Sequence, residues 1–398
     1  MRLIRRPEVE RARAHASVLW RSVAEYAAGP QMSRFEEMMD DYTFNYALKA
    51  ANGDATRPCV LRSYVPAGNW FGRDVPGSRW GGDNPDNAYR LIPIAANGRY
   101  ELHGRRMPGG IANVTFALVA NSATSITLSL LEDRDLKFES DGSFVITVDE
   151  RPAGGVVNHI QNKPGALFLF IRDSSGDWQK ETPNALRVKR LDTGSAAAVS
   201  EADMAQLAAK YMVADVYLLY WFIRLNYNMP INVMREPRGS GPVGGLRSQM
   251  GSQGTIRLAD DEAMIITSTS GVAAYRGIVL HDIWYRAIEY WKRQSSLNTT
   301  QMVPDADGRY TFVVAHTDPG VANWLDTGGL GEVLALHRWQ GIPGEGSGHD
   351  TPTIRSEVIK LKDLESRLPP GVQRIGVAER KQSLERRLAS YQRRFIDR

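Results

Sequence analysis

The sequence predicts a mainly β protein with helices, an α+β fold containing two tandem, repeat-related β-sandwich or barrel domains. Short segments with period-two alternation fill much of the chain, and turn signals separate them about every 8–12 residues. Residues 307–339 repeat the skeleton of residues 141–173 at an offset of about 165 residues. Apolar stripes at helical spacing occupy both ends and the centre of the chain. A length of 398 residues also favours more than one core.

The N-terminal segment, residues 1–54, is predicted to be a helical pair over 7–28 and 31–51. Pro30-Gln31 breaks the pattern, and Ser33 with Glu36 has the spacing of a capping box. We expect both helices to pack on a sheet through an apolar stripe at helical spacing, consisting of Leu19, Trp20, Val23, Tyr26, Phe35, Met38, Met39, Tyr42 and Tyr46.

Two β domains are predicted, over residues 55–195 and 253–368. In the first, strands are expected at 58–64, 88–94, 98–104, 112–119, 125–131, 134–139, 143–149, 166–173 and 185–191. In the second, they are expected at 255–258, 262–268, 274–283, 309–316, 332–339 and 353–360. Asn158 and Asn323 occupy the same point of the repeated skeleton. A residue kept in both copies indicates a role in the fold, such as capping a turn.

Residues 196–252 are predicted to link the two β domains. A helix should begin at Ser200, with Asp203 at the capping position, and end near Asn226. Its second half is apolar nearly all round, which predicts a helix buried between the β domains. The glycine-rich stretch 237–254 is predicted to be a linker or mobile loop. It lacks the strand–loop–helix context and the Gly-Lys-Ser/Thr ending of a phosphate-binding loop.

The C-terminal segment, residues 369–398, is basic and is predicted to form a helix over 376–396. From Gly371 onward it holds eight Lys and Arg against three Asp and Glu, while the whole chain carries +4. One side of this helix carries Val377, Leu384, Leu388, Tyr391 and Phe395. This side could dock on the protein body or pair with a second copy to form a homo-oligomer.

Composition and charge exclude several classes of function. The positive charge is confined to the C-terminal segment, and no nucleic-acid-binding module is readable, so no nucleic-acid partner is expected. A single cysteine, Cys59, excludes an internal disulfide framework. The N-terminus lacks the apolar region of a signal peptide, and the apolar run 211–225 is too short to span a membrane. We therefore expect a cytoplasmic protein without a membrane partner.

Two pairs of segments resemble the bacterial domain-of-unknown-function family 1214. WGGDNPDNAYRLIPI with ANGRYELHG resembles the first half of that family, and RQSSLN with DADGRYTFVVAHTDPGVANWLDTGG resembles the second. The resemblance covers about residues 78–345 in patches and leaves out both terminal helical segments. It implies two β-sandwiches of jelly-roll type with helices between and around them, and it implies no activity.

The segment 276–298 is the densest in polar and aromatic groups. Imidazole beside carboxylates and a phenol can supply acid–base chemistry, so His281, Asp282, Tyr285 and Glu289 are the predicted catalytic residues. The indole of Trp284 offers a stacking surface. The remaining predicted ligand contacts of this segment are Arg276, Arg286 and Asn298. An aromatic-rich structural strand with charges at its rim is the alternative interpretation.

The segment 80–90, WGGDNPDNAYR, is the second candidate. It could place Asp83, Tyr89 and Arg90 at the mouth of a cleft as substrate-binding residues. Its Asp and Asn side chains also offer oxygen donors for calcium, although their spacing is not that of an EF-hand. An ordinary turn is the third interpretation.

His316 and Asp318 form a third candidate, a His-x-Asp pair that His337 or His349 could complete as an iron-binding triad. The first repeat lacks this pair, and Asp318-Pro319-Gly320 also has the pattern of a turn. The preferred mechanism therefore needs neither metal nor cofactor. Trp324, which differs from its counterpart His159, is predicted to face the ligand.

Two functions follow from these candidates. The first is an enzyme, a hydrolase or lyase, that acts on a hydroxylated ring compound, sugar-like or terpenoid- or steroid-like. Its cleft would lie between the two sandwiches, with His281 as acid or base, and Arg276 or Arg286 would hold an anionic group. The second is a non-catalytic protein that binds a carbohydrate or another small molecule, or that has a structural role.

Overall fold

The computed structural model describes residues 1–23, 31–192, 199–239, 246–342 and 351–394. Across these residues the chain forms 20 strands and five helices, which confirms the predicted mainly β, α+β fold class. No described helix is long and apolar enough to cross a membrane. The part of the glycine-rich stretch at 240–245, Tyr26, His349 and Phe395 lie outside the described residues.

The first β domain is a sandwich of two sheets plus a small hairpin. Strand order is β1-β4-β10-β6-β7 in the first large sheet and β11-β5-β8-β9 in the first small sheet, and β2 pairs with β3. The strands are β1 (Leu61–Ser63), β2 (Gly68–Trp70), β3 (Arg73–Val75), β4 (Asn87–Pro93), β5 (Tyr100–Arg105), β6 (Asn113–Val119), β7 (Thr127–Glu132), β8 (Ser143–Asp149), β9 (His159–Gln161), β10 (Phe168–Ser174) and β11 (Ala185–Arg190).

The second β domain repeats this topology. Strand order is β12-β13-β19-β15-β16 in the second large sheet and β18-β17-β14-β20 in the second small sheet. In each copy one short strand pairs in parallel at the edge of the small sheet, β9 with β8 and β18 with β17. The strands are β12 (Arg238–Gly239), β13 (Gln249–Arg257), β14 (Glu262–Ser268), β15 (Tyr275–His281), β16 (Ser296–Asn298), β17 (Tyr310–Ala315), β18 (Trp324–Asp326), β19 (Glu332–Gln340) and β20 (Ile354–Lys360).

Alternation along the strands assigns each large sheet an inner and an outer face. On β10, Leu169 and Ile171 enter the core of the first sandwich, whereas Phe168 and Phe170 face outward. On β19, Ala335 likewise enters the second core while Leu334 and Leu336 face outward. The outward residues of both large sheets share one cluster with the N-terminal and linking helices, so the two large sheets turn their outer faces toward each other.

The helices are α1 (Pro7–Val23), α2 (Phe35–Ala51), α3 (Glu201–Tyr227), α4 (Leu364–Arg367) and α5 (Val377–Arg393). Helix α3 begins as predicted, because the Ser200 hydroxyl accepts the Asp203 backbone N–H at 3.1 Å. Helix α2 instead follows a 3₁₀ turn over 32–34 that contains Ser33, and the side chain of its N-cap residue, Arg34, makes no capping hydrogen bond. Rings from three segments, Trp20, Tyr42 and Trp80, meet edge to face between α1, α2 and the first sandwich.

The second half of α3 is more exposed than its composition predicts. It packs on α1 and α2, and Ile223 is buried, but Leu218 is 42% exposed, Trp221 64% and Leu225 61%. The prediction of a helix buried on most sides is therefore wrong for this half, because an apolar circumference does not reveal on how many sides a helix has neighbours.

Helix α5 docks on the body through its arginines. Arg380, Arg387 and Arg394 follow one another at seven-residue spacing and are all buried, whereas Val377 is 91% exposed and Leu388 also faces solvent. Arg380 ion-pairs with Asp318, and Arg387 donates to the Tyr290 carbonyl. Arg394 donates to the Pro85 and Asp86 carbonyls. The helix thus spans both sandwiches, and the predicted apolar docking face is wrong for Val377 and Leu388.

The repeated asparagines make the same contacts in both copies. Asn158 accepts the Lys137 backbone N–H and donates to the Lys137 carbonyl, both at 2.8 Å. Asn323 accepts the Val303 N–H at 2.9 Å and donates to the Val303 carbonyl at 2.7 Å. Each side chain clamps one residue of a neighbouring segment, as expected of a duplicated residue that serves the fold.

Candidate functional site

The first candidate segments meet between the two sandwiches. The loop 79–86 leaves the first sandwich and lies against the outer face of β15 and the chain that follows it. The His281 ring bonds the Asp83 carbonyl at 2.8 Å, the Ala287 N–H donates to an Asp83 carboxylate oxygen at 2.9 Å, and the Gly82 N–H donates to the Tyr285 carbonyl at 2.7 Å. These contacts join segments that lie about 200 residues apart in the sequence.

His281 is buried and neutral. Its Nε2 must carry the proton, because the Asp83 carbonyl can only accept. Burial, with the nearby charge of Arg338, lowers the pKa of His281 to about 4. A ring held in this way fixes the interdomain loop, and its use as an acid or base at neutral pH would require that hydrogen bond to open.

The Asp83 carboxyl, unlike the His281 ring, has a pKa that burial moves toward neutrality. It is 2% exposed, and its Oδ2 finds no hydrogen-bond partner among the described residues. Burial raises the pKa of Asp83 to about 7, against the opposing effect of the Ala287 N–H. A carboxyl that titrates near neutrality can both donate and accept a proton.

Asp282 and Arg286 belong to a buried ionic network that ties helix α2 to the second sandwich. The Arg286 guanidinium contacts Asp282, Asp41 and Glu37, each at 3.0 Å. Burial lowers the pKa of Arg286, but the three carboxylates outweigh it and raise the pKa overall. Arg79 adds a second cation to the network, at 2.9 Å from Glu37 and 3.3 Å from Asp41. The charge of Arg286 is therefore balanced by carboxylates of the protein itself.

Glu289, Trp284 and Tyr285 also have protein partners. Glu289 ion-pairs with Arg34. The Trp284 indole is buried and donates to the Trp20 carbonyl at 2.9 Å. Tyr285 adopts the left-handed φ of 63°, and its hydroxyl accepts from Asn226 at 2.9 Å while donating to Gln253 at 3.1 Å.

Asn298 contributes to a second interdomain contact, centred on Asp86. The Asp86 carboxylate accepts from Trp178 at 2.6 Å, Asn298 at 2.9 Å and Tyr275 at 2.6 Å. These three donors occupy the hydrogen-bonding positions of the Asp86 carboxylate that a ligand would use. Asp86 and Asn298 therefore hold the two sandwiches together.

Asp83 and Arg90 do not lie at the mouth of a cleft, contrary to the prediction. Asp83 is buried, and Arg90 ion-pairs with the fully buried Asp173 of the neighbouring strand β10. Tyr89 stacks on Phe170 on the outer face of the same sheet. Of the three, Asp83 and Tyr89 face the interdomain space and Arg90 does not.

Two further predicted residues lie away from the interdomain space. Arg276 points into the second sandwich, where it bonds Ser270 and lies over the Tyr310 ring. Trp324 packs in the second small sheet, donates to the Ala315 carbonyl at 3.0 Å and is covered by Arg380. Trp324 therefore does not face the interdomain space, contrary to the prediction.

His316 and Asp318 do not converge on a common point. The His316 ring bonds Thr327 at 2.7 Å, and Asp318 pairs with Arg380 of helix α5. Within the described ranges no group of three or more His, Cys, Asp or Glu side chains could hold a metal ion, the 83–87 loop included.

The sequence reasoning missed two arginines between the large sheets, Arg172 on β10 and Arg338 on β19. A buried Nη1 nitrogen of each guanidinium finds no hydrogen-bond acceptor in the described part of the chain. Arg172 lies over the Phe170 ring at 4.2 Å, and Arg338 donates through Nη2 to the Gly82 carbonyl at 2.6 Å. Burial lowers the pKa of Arg172, and the charge of Arg338 is close enough to lower it further.

These arginines border an interdomain space that we call the inter-sheet recess. Its walls are the outer faces of the two large sheets around Arg172 and Arg338, with the rings of Tyr89 and Tyr285. Both arginines keep some accessible surface although they lie between two packed sheets. Gly251 pairs with Arg338 in register, and a Cβ there would meet nothing closer than a carbonyl oxygen at 3.7 Å. A Cβ at position 251 would therefore fit beside Arg338 in ordinary van der Waals contact.

Comparison with solved structures supports the fold. The chain is similar to the crystal structure of an uncharacterised protein from Burkholderia cenocepacia, with a TM-score of 0.72 and 23% identity over 89% of this chain and 95% of that chain. A protein of Vibrio parahaemolyticus matches with a TM-score of 0.41 and 12% identity, over 81% and 98% of the two chains. No family model and no curated protein matches the chain.

Proposed function

We propose that the protein binds a small ring-bearing molecule in the inter-sheet recess. The observation that carries this proposal is a group of buried polar atoms that lack protein partners. The Thr115 hydroxyl, which lies opposite Arg172 in register, and one nitrogen each of Arg172 and Arg338 are among them. Buried polar groups are almost always hydrogen-bonded, so a concentration of unpaired ones indicates a missing ligand or water.

The aromatic side chains favour a ring-bearing ligand. Tyr89 and Phe170 lie parallel, with centroids 5.5 Å apart, and Tyr64 leans on both. On the opposite side, the buried Tyr285 packs beside the positive-φ loop residue Gly82. Aromatic walls with a few directed polar groups are typical of small-molecule sites.

A variant that fills the recess tests this proposal. Gly251→Leu adds a side chain beside Arg338, at a position where a Cβ makes only ordinary van der Waals contact. Gly68→Leu is the control, since a Cβ at Gly68 on the β2–β3 hairpin meets nothing within 4 Å. The readout is binding of phenol, benzamide, benzoate and phenyl β-glucoside, followed by thermal shift and saturation-transfer NMR.

We expect at least one of these compounds to bind the unmodified protein and the Gly68→Leu variant, and to lose binding in Gly251→Leu. Binding that survives Gly251→Leu would place the ligand elsewhere. If none of the compounds binds, the structural-protein alternative gains over this proposal.

An acid–base enzyme is the second candidate function, and Asp83 favours it. The pKa of Asp83 lies at about 7, so its carboxyl can give a proton to a leaving oxygen and retrieve it from water, as a hydrolase or lyase requires. In this version Asp83 takes the role that the sequence suggested for His281. Loss of turnover in Asp83→Asn with ligand binding retained would support the enzyme. We also propose that the chain belongs to the domain-of-unknown-function family 1214. This membership favours neither ligand binding nor acid–base catalysis.

A further inference from the structure

Arg172 and Arg338 occupy equivalent positions in the two copies of the fold. Strands β10 and β19 hold the same central place in their sheets. Gly165 and Gly331 precede them, and all these pairs keep a constant offset of about 166 residues. Duplication has therefore placed one arginine on each of two facing sheets, directed into the same recess.

A purely structural role does not account for this pair. Of the other deeply buried arginines of the described chain, Arg286 contacts three carboxylates and Arg380 ion-pairs with Asp318. No carboxylate is among the charges that shift the pKa of Arg172, and its cationic neighbour opposes it. Two cations brought together without a counter-charge destabilise a fold, unless an anion is bound between them.

The surroundings hold one arginine in place and leave it free to donate. The Gly82 carbonyl fixes the Arg338 Nη2, so Nη1 stays available. Gly82 has a φ of 74°, and a Cβ there would lie 2.9 Å from the Tyr285 ring. Stacking on Phe170 similarly orients the guanidinium of Arg172. Such fixed donors suit the oxygens of a carboxylate or phosphate.

We infer that Arg172 and Arg338 together bind the oxyanion of the ring-bearing ligand, a carboxylate or a phosphate ester, at the inter-sheet recess. This inference rests on the proposed function, because it specifies the charge of the molecule that the recess takes. It also replaces Arg276 and Arg286 of the sequence-based hypothesis by two residues at the duplicated position.

Matched probes that differ only in charge test the inference. Benzoate and phenyl phosphate are compared with neutral benzamide and phenol, by calorimetry and thermal shift at constant ionic strength. We expect both anions, or the one whose size fits, to bind at least tenfold more tightly than their neutral partners. Arg172→Met and Arg338→Met should each weaken anion binding by about 10- to 100-fold, the range for charge-assisted hydrogen bonds. Arg187→Met, on the exposed strand β11, is the matched control and should change nothing.

The melting temperature of the ligand-free variants separates the two roles. A structural role for Arg172 predicts a lower melting temperature in Arg172→Met, whereas an anion-binding role predicts a higher one. Because Arg172 lacks a counter-charge, Arg172→Met should raise the melting temperature of the ligand-free protein by a few degrees while it abolishes anion binding. A lower melting temperature together with unchanged anion binding would overturn the inference.

The outcomes also separate this inference from the proposed function. If neutral and anionic probes bind equally and Gly251→Leu blocks both, the recess binds rings and the anion inference fails. If no probe binds at all, the proposed function fails with it. Preference for phenyl phosphate over benzoate, or the reverse, identifies which oxyanion the two arginines take.

Discussion

Replacement of Asp83 by asparagine should stabilise the protein, and the gain should grow with pH. Asp83 is 2% exposed, and within the described part of the chain its carboxylate accepts one hydrogen bond, from the Ala287 N–H at 2.9 Å. Asparagine keeps an acceptor for that bond and has nearly the shape of the protonated acid. The substitution therefore removes the cost of a buried charge without creating a cavity.

The size of the effect follows from the pKa of Asp83, which burial raises from 3.8 to about 7. Since the unfolded carboxyl ionises near 3.8, the folded state binds more protons between these values, and the free energy of unfolding falls as the pH rises. A tenfold change in proton affinity is worth about 1.4 kcal/mol, so the cost is about 1.7 kcal/mol at pH 5 and about 4 kcal/mol at pH 8. Asp83→Asn should gain these amounts.

His281 has the opposite pH dependence and must be kept in the comparison. Its pKa falls from 6.5 to about 4, so His281 costs stability as the pH drops from 6.5 toward 4. In the unmodified protein the two groups partly cancel between pH 4 and 6.5. In Asp83→Asn the opposing carboxyl is gone. His281, together with the buried His337, whose pKa is lowered to about 3, should then make stability rise with pH across this range.

Urea unfolding of the unmodified protein and of Asp83→Asn, at pH 5 and pH 8, measures the predicted difference. Asp135→Asn is the control, because Asp135 lies exposed in a short turn. A gain of equal size at both pH values, or a loss at pH 8, would show that the Asp83 carboxyl is ionised in the folded protein and would refute the reasoning.

Three further changes test the packing of the fold by urea unfolding. Arg286→Met leaves two buried carboxylates short of a cation and should cost about 3–5 kcal/mol, whereas Arg105→Met breaks an exposed ion pair and should cost less than about 1 kcal/mol. Trp284→Ala should cost about 3–5 kcal/mol by leaving a cavity, and Trp221→Ala, at 64% exposure, should stay within about 0.5 kcal/mol. Asn323→Ala should cost about 1–3 kcal/mol, because it leaves buried backbone groups unpaired. The structural account would be contradicted by an equal loss of stability in Arg286→Met and Arg105→Met, or in Trp284→Ala and Trp221→Ala. It would also be contradicted by unchanged stability in Asn323→Ala.

The sequence was most informative where local pattern and tertiary structure agree. Period-two alternation located the long strands closely, for example 143–149 and 262–268, because each alternating residue meets a core on one side. The short strands β9 and β16 were missed as separate strands of their sandwiches, and 134–139 forms no strand. Three residues at a sheet edge carry too little alternation to detect.

Helix neighbours could not be inferred from composition alone. The apolar end of α3 predicted burial, yet its partners cover only one side. On α5 the docking groups are arginines, whose guanidinium groups bond backbone carbonyls and lie over rings such as Trp178. A pattern that counts arginine as solvent-facing assigns such a helix the wrong face.

The candidate site could not be predicted from local spacing either, although one feature of the sequence pointed to it. The polar segment 276–298 does reach the interdomain space, but folding pairs most of its charges with residues that lie far away in the sequence, such as Asp41 and Arg34. No spacing rule within a segment reveals these partners. The repeat, by contrast, aligns Arg172 with Arg338, and an arginine kept in both copies of a largely apolar central strand was visible in the sequence.

Duplication alone does not separate a structural residue from a binding residue, whereas the bonding state does. Asn158 and Asn323 each satisfy two backbone groups, so a fold role explains why both copies keep them. Arg172 and Arg338 each retain an unpaired buried nitrogen, so the same fold role leaves part of their chemistry unused. Because an unpaired buried donor costs free energy, its presence at two equivalent positions favours a ligand that both arginines share.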